Sequence, residues 1–356
     1  MEKNSFMKKI KIGNKIISND KPVFIIAEAG VNHNGSIKNG KKLIDIAVKA
    51  KADAVKFQSF IADNIIIPNG PKAKYHIETT GSNKKQSWFD LLKSQEMSKK
   101  MHEELIKYCK KKKIIFLSTP YDEESATILN KLNIAAFKIA STDNDNYPFL
   151  KFLTKFKKPI IISTAMSNLQ DVKDAYKLMK KYNNNGFAFL QCTGNYPSKV
   201  SDSNINVIKT YKKILNCPIG YSDHTQNNTS AILSVAHGAK IIEKHFTINK
   251  KMYGPDHRMS LSPSELVNFV NSIREAEKAL GENKKIILKS EVLNKSKLKK
   301  SLVAGQLIKA GQLITKNMIK IKRPATGIRP KYLSIVVGKK AKKDIRKNQI
   351  ITRNMI

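Results

Sequence analysis

Acidic residues, cysteine and long apolar runs are all scarce in this chain, and each scarcity closes off a class of protein. The three cysteines in 356 residues, Cys109, Cys192 and Cys217, stand at spacings that build neither a disulfide framework nor a zinc cluster, so all three read as reduced and mostly structural. No apolar run reaches 18 residues, which leaves no readable transmembrane helix, and the opening MEKNSFMKKIKIG lacks the apolar stretch of a signal peptide. The expected compartment is the cytosol, with no membrane partner. With 28 acidic against 66 basic residues the net charge is +38, which taken alone points to nucleic acid or an anionic surface. Distribution argues otherwise: arginine is sparse, aromatic interleaving is absent, and lysine is diffuse through segments such as KKYNNNG and ENKKIILKSEVLNKSKLKKS. This is the pattern of a solvated lysine surface produced by compositional drift, so no nucleic-acid partner is expected.

What is present is a recurring form. Seven or eight short apolar runs, each of strand length, end in a polar or ionisable residue: VFIIAE at Glu28, AVKFQ at Gln58, IIFLST at Thr119, AAFKIAS at Ser141, PIIIST at Thr164, FAFLQC at Cys192, PIGYSDH at His224 and KIIEKH at His245. Most are followed by an amphipathic stretch of helical length, the period of an α/β protein of the (β/α)8 TIM-barrel class. Residues 8–18 read as a hairpin preceding the barrel and plugging its bottom, and Ile61 to Met97 as a long irregular segment suited to a lid. The last barrel helix is expected to open on a Ser262 or Ser264 cap and close at Gly281. The barrel domain is drawn over 1–282, a lysine-rich linker over 283–296, and a small β-rich module over 297–356. Inside that module Ile308–Ile319 aligns with Ile345–Ile356 at an offset of 37 residues, as expected for two half-motifs related by an approximate two-fold axis.

Because parallel strands of a barrel all point one way, their last residues share a rim. His224 and His245 close the last two runs, and neighbouring strands lie about 4.8 Å apart, so both imidazoles can reach one divalent transition metal and leave positions open. Lys56 and Lys138 sit inside apolar strands, where a cation is costly unless it meets an anion. Each reads as a ligand for phosphate or carboxylate, with hydroxyls from Ser118, Thr119, Ser141 and Ser163 beside it. A Schiff base on Lys138 is the rival reading. Glu28 and Asp143 are the candidate catalytic carboxylates. His33 reads as a structural loop histidine, and Asp256 and His257 fall within reach of the rim.

Taken in order, AEAGVNHNG, AVKFQ, FLSTP, FKIAS, LQCTGNYP, IGYSDHT, EKHFT, GPDH and a C-terminal KRP resemble the N-acetylneuraminate (sialic acid) synthase family over nearly the whole chain, antifreeze-like (SAF) domain included. The resemblance implies condensation of phosphoenolpyruvate with an N-acetylated hexosamine, N-acetylmannosamine first and the diacetamido-trideoxyhexose precursor of legionaminic acid second. It implies a divalent metal, Mn²⁺ before Mg²⁺ or Co²⁺, on His224 and His245. By motif, Lys56, Thr119, Lys138 and Ser141, with Ser222 nearby, match positions around phosphoenolpyruvate, and Glu28, Gln58, Tyr196 and Asp256 match positions around the sugar. Asp143 stands where many relatives have glutamate. Gly194 stands where some carry a side chain that touches the sugar, a contact open to Asn195. Arg323 matches an arginine supplied by the partner subunit, which implies a domain-swapped homodimer.

Overall fold

The computed structural model describes residues 9–81, 86–183 and 185–356, so the first eight residues, including part of the opening read for a signal peptide and the first residue of the expected hairpin, lie outside the described part. The chain divides into two compact units, Met1–Gly281 and Glu282–Ile356.

In the first unit a hairpin, β1 (Ile10–Ile12) and β2 (Lys15–Ile17), turns at Gly13 with φ of +57°. Eight parallel strands follow: β3 (Phe24–Gly30), β4 (Ala54–Ser59), β5 (Ile115–Pro120), β6 (Phe137–Ile139), β7 (Ile160–Ser163), β8 (Phe187–Cys192), β9 (Ile219–Asp223) and β10 (Ile241–His245). They close in sequence order, β10 pairing with both β9 and β3. Helices cover the outside, so the strands are buried on both faces and read as near-continuous apolar runs.

The two-residue period of a strand splits these runs into layers. Outward residues such as Ile25, Val55, Phe116, Phe137, Ile160, Phe189 and Ile242 join the helices in the main core. Inward residues at the strand starts, Phe24, Ile26, Ala54, Leu117, Ala136, Ile161, Ala188, Leu190 and Ile241, form a separate apolar floor with Ile10, Ile12 and Ile17 of the hairpin. The hairpin is therefore the barrel's stopper. Two or four residues further along the same inward stripes stand Glu28, Lys56, Gln58, Thr119, Lys138, Ser163, Cys192, Ser222, Glu243 and His245. The barrel axis thus runs from a dry floor to a polar mouth.

Among its described residues, the segment expected to be irregular between Ile61 and Met97 carries three short helices, Ala62–Ile65, Lys74–Thr80 and Trp88–Lys93, the last capped by Ser87. Helices of one or two turns are too short to leave a legible period. The last barrel helix spans Pro263–Leu280, with Ser262 and Glu265 forming a reciprocal capping box and Gly281 beyond its end at φ of +55°.

In the second unit, part of the expected linker is a helix, Lys289–Leu298, with no buried residue, so it shows no apolar stripe in sequence. The rest packs β11 (Ser301–Ala304), β12 (Ile319–Lys322) and short turns around Leu302, Ile308, Ile314, Ile345 and Ile351. The repeat is a structural one. Ile308 and Ile345 exchange backbone hydrogen bonds, and the amides of Lys309 and Arg346 donate to Gln312 Oε1 and Gln349 Oε1, each at 2.8 Å. Among the described residues no helix is long and apolar enough to cross a membrane.

Ile12→Ala empties part of the floor and is expected to cost about 2–5 kcal/mol of stability, read as a fall in melting temperature; an unchanged melt would show that the hairpin is not packed there.

Candidate active site

The polar end of the inward stripes holds a charge cluster. Lys56 Nζ donates to Glu28 Oε1 and to Thr119 Oγ1, both at 2.9 Å, and lies 3.8 Å from Glu243 Oε1. Lys138 Nζ donates to Ser163 Oγ at 2.6 Å and to the Ile139 carbonyl at 2.9 Å, and also lies 3.8 Å from Glu243 Oε1. Ser222 Oγ donates to that same carboxylate oxygen at 3.1 Å. Glu28, Lys56, Lys138 and Glu243 are all 4% exposed or less. Burial is the largest influence on each and opposes its charge. At Lys56 and Glu243 the facing opposite charges outweigh it, raising the lysine and lowering the carboxyl. At Lys138 and Glu28 burial prevails, lowering the ammonium and raising the carboxyl to about 7.

This corrects one step of the sequence argument. The buried lysines do not require an external anion, because Glu28 and Glu243 already answer their charge. Glu243 was missed, although it stands two residues before His245 and so shares its face of β10.

The imidazoles of His224 and His245 lie 5.5 Å apart between ring centroids. His224 Nδ1 is 2.7 Å from the Thr193 carbonyl, which can only accept, so that nitrogen carries the proton and Nε2 keeps its lone pair. Cys192 Sγ is 3.7 Å from the same Nδ1, which makes this cysteine a site residue rather than a purely structural one. Burial disfavours the His224 imidazolium, but negative charge on the Cys192 sulfur, whose own pKa is lowered beside this ring, and the Thr193 carbonyl outweigh it and raise the pKa of His224. His245 is held well below its ordinary range, by burial first and then by His224 and Lys56. Its buried Nδ1 has no hydrogen-bond partner among the described residues, and Asp256 Oδ2 stands 3.9 Å away. An imidazole whose tautomer is fixed by the Thr193 carbonyl, beside one with an unpartnered nitrogen, is a donor set that would fit a divalent metal, with His224 and His245 the residues that would hold it. Among the described residues no third His, Cys, Asp or Glu completes a cage with them.

The NeuB family model matches residues 43–285, and the SAF domain model matches residues 299–356. The chain belongs to the NeuB family. It is 41% identical over 333 residues to the N,N'-diacetyllegionaminic acid synthase of Campylobacter jejuni, covering 93% of this chain and 99% of the relative. With the human N-acetylneuraminate-9-phosphate synthase it shares 34% identity over 337 residues, covering 94% of this chain and 93% of the relative. Among solved structures, the N-acetylneuraminic acid (sialic acid) synthetase of Leptospira borgpetersenii, in complex with citrate, superposes with a TM-score of 0.71 at 34% identity, covering 81% of this chain and 95% of the other.

Within this NeuB barrel the remaining sequence-predicted residues divide. Tyr196 lies over His224, ring centroids 4.1 Å apart, and is covered in turn by Tyr75 at 4.9 Å, a lid residue that carried no sequence signal. Gly30, at φ of +52°, is where Asp256, Glu28 and Gln58 converge, their polar atoms 3.4, 3.5 and 3.6 Å from the place its Cβ would take. Thr119 and Ser222 belong to the charge cluster, as given above. Ser141 Oγ accepts from the Ala165 amide at 2.9 Å, and Asn195 is exposed with Oδ1 accepting from its neighbour's amide. Asp143 does not join the cluster: Asn146 Nδ2 at 3.0 Å and Thr142 Oγ1 at 3.3 Å hold its carboxylate within its own turn, and burial raises its pKa. Ser118 faces outward to Ser59 at 2.6 Å, as its parity against Thr119 requires. Arg323 lies in the second unit, exposed, its Nε donating to the Leu298 carbonyl at 2.9 Å. His33 is fully buried, and its Nδ1 accepts from the Gly35 amide at 3.0 Å, the structural loop role read from sequence.

His76, in the lid beside Trp88, has its pKa lowered from 6.5 to about 4, by burial first and Lys72 second. The folded state therefore keeps this ring neutral where the unfolded chain takes up a proton. The ring leaves stability untouched above pH 6.5 and increasingly opposes folding as pH falls toward 4. Relative to His76→Gln, the native protein is expected to lose about 3 kcal/mol across that window, measured by paired melts; parallel pH curves would refute the buried neutral ring.

Proposed function

We propose that the protein condenses phosphoenolpyruvate with the open-chain form of a 2-acetamido hexose, yielding a nine-carbon 2-keto-3-deoxy acid and inorganic phosphate. The observation that carries this reading is the pair His224 and His245 on adjacent strands, set in the same mouth as the ammonium groups of Lys56 and Lys138. A divalent metal, Mn²⁺ in the first instance, supplies Lewis-acid polarisation of the sugar's carbonyl when bound.

The residues do the rest. Lys56 and Lys138 orient the carboxylate and phosphate of phosphoenolpyruvate, because each has only a 3.8 Å approach to Glu243 and so keeps a donor to turn toward a closer anion. Thr119, Ser141 and Ser222 add hydroxyls. Gln58, Tyr196, Asn195 and Asp256 hold the sugar with its aldehyde carbon facing carbon three of phosphoenolpyruvate, the arrangement in which proximity contributes most. The new carbon–carbon bond joins those two atoms, water adds to carbon two, and the bond from carbon two to the phosphate oxygen breaks. Glu28, with a pKa near neutrality, is the carboxyl suited to pass a proton to the new hydroxyl. Asp143 is assigned the weaker role of steering water from its turn.

Between acceptors, the higher identity to the legionaminic relative, 41% against 34%, favours a 2,4-diacetamido-2,4,6-trideoxyhexose over N-acetylmannosamine. The reading includes a homodimer in which Arg323 reaches the acetamido group bound by the other copy, and a cytosolic setting, where phosphoenolpyruvate is made.

Phosphate release measured across a panel of aldoses with phosphoenolpyruvate is expected only with 2-acetamido sugars, to stop in EDTA and to return with Mn²⁺. His224→Ala is expected to lower turnover by more than about 100-fold without loss of fold. Activity in EDTA, or an adduct trapped on Lys138 by borohydride and pyruvate, would replace this mechanism with a Schiff-base one.

A further inference from the structure

Alternation assigns the outward face of the barrel as clearly as the inward one. Along the eight strands the outward positions are apolar, hydroxyl, amide or proline, with two exceptions: Asp223 on β9 and Lys244 on β10. These two are direct partners in the register of the strands, and each immediately precedes one of the two histidines. They are 1% and 2% exposed, beneath the helical layer.

The contacts are specific. Lys244 Nζ donates to Asp223 Oδ2 at 2.8 Å, to the Thr225 carbonyl, and to the Asn227 carbonyl at 3.4 Å, so all its hydrogens have acceptors. Asp223 Oδ1 accepts from the Thr225 amide at 2.9 Å. The Phe269 ring, from the last barrel helix, stands 5.6 Å from the ammonium. Residues on both sides of His224 are thereby tied to one cation, and that cation belongs to the residue before His245.

A buried ion pair adds little stability over a well-packed apolar pair, whereas losing one partner is costly. Its particular contribution is geometric, since three directed hydrogen bonds fix the turn after β9 against the end of β10. We propose that Lys244 and Asp223 form a positioning pair that sets the separation and aim of His224 and His245 from behind the strands. This rests on the reading of those histidines as metal ligands.

The test uses the full chain, with Mn²⁺ alone as the probe. Calorimetric titration gives its affinity, and melts in EDTA give the stability of the metal-free protein. Lys244→Met is expected to weaken Mn²⁺ binding by about 10–100-fold and to lower the melting temperature. The double variant Lys244→Met with Asp223→Leu replaces the ion pair by an apolar one, and is expected to recover the metal-free melting temperature but not the affinity. A merely structural pair would bring back both together. If Lys244→Met does not fold, the double variant carries the comparison. Mn²⁺ bound by the double variant as tightly as by the native protein overturns the positioning role while leaving the metal site standing. Native protein that binds no Mn²⁺ overturns the metal site, and the positioning role with it.

Discussion

Two ammonium groups and two carboxylates share one enclosed mouth, and the rest of the barrel is arranged to make that tolerable. Glu243 stands between Lys56 and Lys138, and Glu28 closes on Lys56 from the neighbouring strand. None of the four can relax into water. Burial and facing charge therefore decide their proton affinities between them, driving Lys56 up and Lys138 down although both are lysines in apolar strands. Removal of any one member leaves an uncompensated charge in a poorly screened site, so the four behave as one unit.

The same alternation that gathers these groups inside sorts the outside. On each strand the odd and even positions answer to different neighbours, floor or mouth on one side and helices on the other. That is why Thr119 and Ser118, adjacent in sequence, end in unrelated surroundings, one bonded to Lys56 and the other to Ser59.

Much of this was legible beforehand because it rests on period. All eight strands, the hairpin, the Ser262 cap and the repeat from Ile308 follow from apolar spacing and turn residues, and the convergence of His224 with His245 follows from strand order. What escaped rests on partners distant in sequence. Glu243 announces nothing except its parity with His245, and Tyr75 sits in a helix too short to show a period. Cys192 looks structural until His224 folds beside it. Asp143 differs in the opposite sense: its position just past a strand suggested the rim, and the structure shows its carboxylate accepting from Asn146 within its own turn.

The stopper formed by Ile10, Ile12 and Ile17 carries a consequence for traffic. A vessel sealed at its base has one door, and whatever lodges deepest must arrive first and depart last. Lys56 pairs in register with Glu28, and Glu28 with His245, so cation and imidazole stand on the two strands flanking that of Glu28, at one level above that base. On the proposed reaction, reactants and products alike pass through that single opening.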